Sequence, residues 1–296
     1  MKDDNKNNWP GGPEEPGEAG ADPILFTQRD INIIDSKELN STDEFMVKGY
    51  TSSNISGFFT AAENKVSYDN NDNYIGEVWD GWRHGVGLYH YGVEKNTYFG
   101  EWVLGTRHGL GSFTWSDGEK YEGEWVYGKM HGKGKYYFSN GDYFDGDWVN
   151  DLKQGMGEYN YKSSGSRYNG QWNVDKRNGE GSFWWSNGDH YSGNWADSKM
   201  CGHGLYTFAG GETYDGDWMN DMRNGFGIYN YDNGDRFEGN WLDNVRTGYG
   251  KYFYENGDRY EGDFLSNEFH GYGKFIYADG KTDEGIWDNG ELVKPV

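Results

Sequence analysis

The sequence is short of nearly everything that builds an ordinary globular core. A single cysteine, Cys201, stands among 296 residues, so no intramolecular disulfide can form, and a cytoplasmic setting is expected. Prolines are confined to the ends: Pro10, Pro13, Pro16, Pro23 and Pro295. The stretch between them therefore keeps every backbone N–H that a β-ladder needs. Apolar residues make up only 34% of the chain and mean hydropathy is −1.03. No run of about 18 apolar residues offers a spanning helix. The first twenty residues have neither the basic start nor the apolar stretch of a secretory signal. Positive charge is scarce as well, with 27 Lys and Arg against 49 Asp and Glu, a net of −22. Both residues 1–73 and the remainder are anionic. Nucleic acid is thereby excluded as a partner, because neutralising phosphates requires a cationic footprint, and anionic lipid is disfavoured.

Glycine and aromatic side chains are abundant instead: 48 glycines, and 19% of residues are Phe, Trp or Tyr. A polar chain this rich in rings folds if each ring packs on a near neighbour, which is how repeat arrays are built; disordered chains are poor in aromatics. From Tyr74 the sequence repeats every 23 residues, with two units of 24. Full units begin at Tyr74, Tyr98, Tyr121, Phe144, Tyr168, Tyr191, Tyr214, Phe237 and Tyr260, and a truncated tenth begins at Asp283. Numbering positions from each start, an aromatic, a Gly and usually a Trp fall at 1, 3 and 5, and Gly, aromatic, aromatic at 14, 16 and 18. Each triplet shares one face of a strand, since side chains alternate with period two. Position 8 carries Gly, Asp, Asn or Ser, residues suited to positive φ. Later in the unit Asn140-Gly141, Asn187-Gly188 or Asp279-Gly280 signals a second turn.

These patterns predict an all-β fold: an elongated, twisted single array of about ten antiparallel β-hairpins. Two strands per unit at about 4.8 Å each make a ribbon on the order of 90–100 Å long. The expected repeat core comprises Trp102, Trp125, Trp148, Trp172, Trp195, Trp218 and Trp241, with Tyr136, Phe138, Gly123, Gly132 and Gly134 in the third unit. The glycines are expected to leave bare backbone for a ring of the facing strand to lie on. Residues 1–23 read as a disordered acidic tail and 24–73 as a cap or docking segment with apolar clusters at Ile24–Phe26, Ile31–Ile34 and Phe58–Phe59. Residues 74–296 form the array.

The run Tyr-x-Gly-x-Trp-x-x-Gly-x-x-His-Gly-x-Gly, complete at Tyr98–Gly111 and Tyr121–Gly134, resembles the MORN (membrane occupation and recognition nexus) repeat. The resemblance covers residues 74–296. It implies an extended hairpin array that joins cytoskeletal, ciliary or membrane-adjacent assemblies, often as dimers, and among proteins made almost wholly of such repeats it is most like radial-spoke-head components of motile cilia. The chain departs from the pattern at the His position, where units four to eight carry Gln154, Asn178, Cys201, Asn224 and Thr247.

No catalytic, metal or cofactor site is expected. His84, His108, His131 and His270 recur once per unit, about 10 Å apart, too far for ligands on one ion. Cys201 fills the same slot without a base implied beside it. Acidic residues at position 4 (Glu77, Glu101, Glu124, Asp147, Asp217, Asp263) are read as a solvated face paired across strands. The basic residues of the first turn, Arg83, Arg107, Lys129, Lys153, Lys176, Arg177, Lys199, Arg223 and Arg246, form a candidate docking rim for a protein partner, opposite acidic second turns. The sequence thus reads as a non-catalytic scaffold of a cytoskeletal assembly. A phosphoinositide-binding tether, or a regulatory subunit of an enzyme held in trans, is the alternative.

Overall fold

A computed structural model describes residues 45–52, 55 and 64–296. The acidic tail and the clusters at Ile24–Phe26, Ile31–Ile34 and Phe58–Phe59 lie outside these described residues. Twenty-one strands, from Lys65–Ser67 to Glu291–Pro295, form one long antiparallel sheet in which each strand pairs with its neighbours in the chain. Among the described residues no ladder joins the first strand to the last, so the sheet is open. In the third unit the strands are Lys120–Val126 and Lys129–Tyr137, and the other units follow the same plan.

The first turn is two residues long. Tyr127 (φ 49°) and Gly128 (φ 77°) are both left-handed, and Val126 pairs with Lys129 across them. This is the type I′ geometry that matches the right-handed twist of a hairpin. Leu104, Tyr127 and Val174 adopt it despite their bulk, at a cost of roughly 1–2 kcal/mol each.

One face of the sheet carries the aromatic core. Tyr121 stands edge-on to Trp125 of its own unit (5.1 Å, 89°) and to Trp148 of the next (5.5 Å, 86°). Its hydroxyl donates to the Glu124 carbonyl at 3.0 Å. A Cβ on Gly123 would lie 2.5 Å from the Tyr121 hydroxyl and from the Gly134 Cα, and one on Gly134 would strike the same phenol. The ring that needs the space is therefore the position-1 aromatic. It belongs to the facing strand as seen from position 14, as expected, but to the same strand, two residues back, as seen from position 3. Each Trp then ties its unit to the one before. Trp148 Nε1 donates to the Gly134 carbonyl at 3.0 Å, and Trp102, Trp125, Trp172, Trp195, Trp218, Trp241 and Trp287 make the equivalent bond. Tyr136 and Phe138 continue the ring stack (4.7 Å).

Candidate protein-docking face

The opposite, outer face is where units differ, and its geometry begins at a bulge. Gly123 pairs with Gly134 while the next residue, Glu124, pairs with His131. Two residues of the second strand are thus in excess. Gly132 takes a positive φ of 56° there, and any Cβ on it would meet the Glu124 carboxylate. That carboxylate accepts the Lys133 N–H at 2.9 Å. Glu77, Glu101, Asp147, Gln171 and Asp217 accept the equivalent N–H of Val86, Leu110, Met156, Glu180 and Phe226. Where position 4 is Asn, the polarity reverses: Asn194 and Asn240 donate to the carbonyls of His203 and Tyr249. Five of the six residues read as a solvated acidic face, all but Asp263, thus close a gap in the ladder, satisfying a backbone group that the bulge leaves without a strand partner.

The candidate basic rim divides in two. Arg83, Arg107, Lys153, Arg177, Arg223 and Arg246 stand at position 10, an even position like 14, 16 and 18, and their side chains turn to the aromatic face. Arg107 lies 4.7 Å over the Trp125 ring and donates to the Gly128 carbonyl at 2.9 Å. Arg177 and Arg223 repeat this with Trp195 and Trp241, and Arg246 bonds the carbonyl of Asn267. Arg83 stacks 4.5 Å from Trp102 and bonds Gly105. Burial depresses the Lys153 ammonium pKa, against the pull of Asp175, and its Nζ sits 5.1 Å from the Trp172 ring. These cations hold one turn to the next. Lys129, Lys176 and Lys199, at position 9, are exposed, and Lys176 pairs with Asp197 of the following turn at 2.9 Å.

The acidic second turns are stitches too. Asp189 accepts the Tyr206 hydroxyl at 2.7 Å and the Ala209 N–H at 2.8 Å, both from the next unit. Burial opposes its ionisation, yet these bonds and one from Asn187 prevail and hold its carboxyl below the usual range. Asp235 does the same with Tyr252 and Glu255. Asp258 accepts from Ala278, while Asp117 bonds only its own turn.

His84, His108, His131 and His270 occupy the same slot of units one, two, three and nine. His84, His108 and His131 bury an Nδ1 without a hydrogen-bond partner, while His270 faces Asp288 at 3.4 Å. Burial lowers the His108 pKa, with Glu101 opposing, and raises that of the Cys201 thiol. Among the described residues, no group of three or more His, Cys, Asp or Glu converges to hold a metal ion, and no helix is long and apolar enough to cross a membrane.

Two apolar patches stand out on the outer face. Over the first two units, Val86, Leu88 and Phe99 form a buried cluster with Val47 and Ile55, and Phe45 and Tyr50 pack against it. The covering segment is a small hairpin, Met46–Val47 paired with Tyr50–Thr51, turned through Lys48 and Gly49 at positive φ. Lys48 reaches Glu101 at 2.6 Å. Of the 24–73 segment, the hairpin Met46–Thr51 and Ile55 thus lie on the outer face of units one and two, while Lys65–Ser67 joins the sheet itself by pairing with Asn73–Ile75. Over the last units Phe226, Tyr249 and Tyr272, all at position 13, and Ile286 are 55%, 54%, 51% and 39% exposed. A shallow groove of about 340 Å³ runs between the first two of these rings, floored by Gly239 and Gly250. No sequence signal beyond position 13 itself marks either patch.

A hairpin array whose inner face is spent on its own cohesion, with a varied outer face, defines a repeat scaffold. Nine successive MORN repeats match residues 74–93, 98–120, 121–143, 144–166, 168–190, 191–213, 214–236, 237–259 and 260–282; the chain belongs to the MORN-repeat family, whose repeats are interaction units rather than catalytic ones. No curated protein sequence matches the chain. Among solved structures, the TCP10 domain of Danio rerio CPAP in complex with a STIL peptide is 9% identical, with 78% of this chain and 97% of that domain covered and a TM-score of 0.40. The SAS-4 TCP domain of Drosophila melanogaster with a proline-rich motif of Ana2 is 11% identical, over 60% and 90% of the two chains, at 0.34. At such low identity and overlap neither likeness bears on what this chain does.

Proposed function

We propose that this chain is a non-catalytic, protein-docking strut of a cytoskeletal assembly, of the radial-spoke-head type in the motile ciliary axoneme. The observation that carries the scaffold reading is the unbroken stitching of the array. Every full unit is bonded to the next through its first turn, and most also through the tryptophan and the second-turn carboxylate, so load on one end passes through the ladder to the other. The position-10 arginines and most second-turn carboxylates are engaged in this stitching, and the variable side chains of position 13 lie outside, where partners reach them. The ciliary placement rests on the likeness of a nearly all-MORN chain to spoke-head components and on its acidic balance, which favours protein over anionic lipid. Detergent extraction of ciliated cells expressing a tagged chain tests it. Retention in the axoneme is expected; release into the soluble fraction overturns the axonemal placement and leaves the scaffold reading to be judged by partner binding.

A further inference from the structure

We propose that the outer-face row Phe226, Tyr249, Tyr272 and Ile286 is a docking site for an extended protein segment that alternates apolar side chains with lysine or arginine. This holds whichever assembly the array serves. The structure already shows how such a face is covered. In units one and two the chain lays its own Phe45, Val47, Tyr50 and Ile55 against Val86, Leu88 and Phe99. Val86 and Tyr249 occupy the same position, 13, of their units. Val86 stands directly across the ladder from Glu101, and Tyr249 from Asp263. The covering hairpin places Val47 in the apolar cluster and the next residue, Lys48, on Glu101. A segment that seats an apolar side chain between Phe226 and Tyr249 would have Asp263 within reach of its next cation.

The chemistry around the row favours that occupant. Asp215, Asp217, Glu238, Glu261, Asp263 and Glu284 lie on strands that flank the rings, while Lys251 and Lys274 are already paired with Glu261 and Glu284. Asp263 makes no ion pair among the described residues; Asp215 and Asp217 have His203 as their ionic neighbour, and Asp217 also accepts the Phe226 N–H. Size argues against a second copy of the chain. Three aromatic side chains half exposed, with one isoleucine, present roughly 400 Å² of apolar surface. That is the size of a functional patch on a monomer and about half of the roughly 800 Å² per partner that a stable dimer buries. Three units at about 10 Å each are spanned by an extended segment of roughly ten residues.

The test is selection of a display library of random peptides of about ten residues on the full-length protein, followed by fluorescence anisotropy of the selected peptides. Expected sequences alternate apolar residues with Lys or Arg. Their affinity should fall about ten-fold or more for the triple variant Phe226→Ser, Tyr249→Ser, Tyr272→Ser, and by a smaller factor for Asp263→Asn. The three rings are exposed, so the variant should keep the near-ultraviolet circular dichroism of the buried tryptophans. Selected peptides that are acidic, or that bind the triple variant undiminished, overturn the proposal. So does failure to select any peptide, or concentration-dependent self-association of the wild type that the triple variant loses, which would assign the row to a second copy.

Discussion

The two ends of the array share one inner face and have opposite outer faces. In unit two Tyr98 meets Trp102 at 4.9 Å and Trp125 at 5.5 Å; in unit seven Tyr214 meets Trp218 at 5.1 Å and Trp241 at 5.5 Å. Outside, Phe99 is 3% exposed beneath the N-terminal hairpin, whereas Phe226 is 55% exposed. Of the units between them, three put Lys133, Glu180 and His203 at position 13, and unit four puts the exposed Met156 there. The inner face thus answers to cohesion alone, and the outer face is free to differ from unit to unit.

The strongest way to break this comparison is to ionise the inner face. Burial raises the pKa of Tyr74, Tyr98, Tyr121, Tyr168, Tyr191, Tyr214 and Tyr260. A raised folded-state pKa favours the fold while the phenol is protonated. Stability is therefore full below the ordinary value of 10.0 and falls as pH climbs above it. A cooperative alkaline transition is expected, in which the phenolate absorbance of these buried tyrosines and the tryptophan circular dichroism change together; ionisation of all 25 phenols with the dichroism intact would contradict a shared inner face.

Next come the glycines. Gly100→Ala and Gly216→Ala each place a Cβ 2.5 Å from the Cα across the ladder and should cost about 3 kcal/mol alike, read from chemical denaturation. Unequal costs at the two ends would show that the inner face is not equivalent. On the outer face the ends should part. Phe99→Ala should cost about 3 kcal/mol and expose the segment near Val47 to protease, while Phe226→Ala should stay within about 0.5 kcal/mol.

Smaller effects belong to the turns and the His slot. The early turns hold Leu104, Tyr127 and Val174 in the left-handed region, where the late ones hold Asn220, Asp243 and Asn289. Tyr127→Asn should stabilise by about 1 kcal/mol and Asn220→Leu destabilise by a similar amount. Smallest is a pH effect at His108 in unit two. The lowered His108 pKa means that stability is complete above the ordinary 6.5 and declines as pH falls below it. Hydrogen exchange in unit two should rise there and not in unit seven, which carries Asn224.

The hairpins, the unit boundaries and the ring-bearing positions were legible because each depends on spacing along the chain. What escaped depends on registers that spacing does not display. The period of two that placed Tyr136 and Phe138 inward also places position 10 inward. Grouped by turn rather than by parity, the basic residues make one rim, whereas Arg107 and Arg177 stack on tryptophans of the inner face. The role of position 4 depends on a two-residue slip between strands, which only the pairing of Glu124 with His131 reveals. The second-turn carboxylates act on residues 17 and 20 further on, a reach that no local motif announces. The cover over units one and two comes from outside the repeat, where periodicity says nothing.

Two sets of stitches between units, those of the turn amides and the tryptophans, have a direction opposite to that of the arginines, which donate forward to the next turn. Each turn N–H and each tryptophan donates backward, to a carbonyl of the unit already made: Gly128 to Arg107, Trp148 to Gly134, Gly290 to Phe269, Trp287 to Gly273. The truncated tenth unit supplies the two donors that the ninth would otherwise miss. A chain of this kind is vectorial. It can be completed one hairpin at a time as it leaves the ribosome, and whole units can be removed or added ahead of the tenth without stranding a carbonyl, whereas stopping after a full unit leaves that unit's acceptors open.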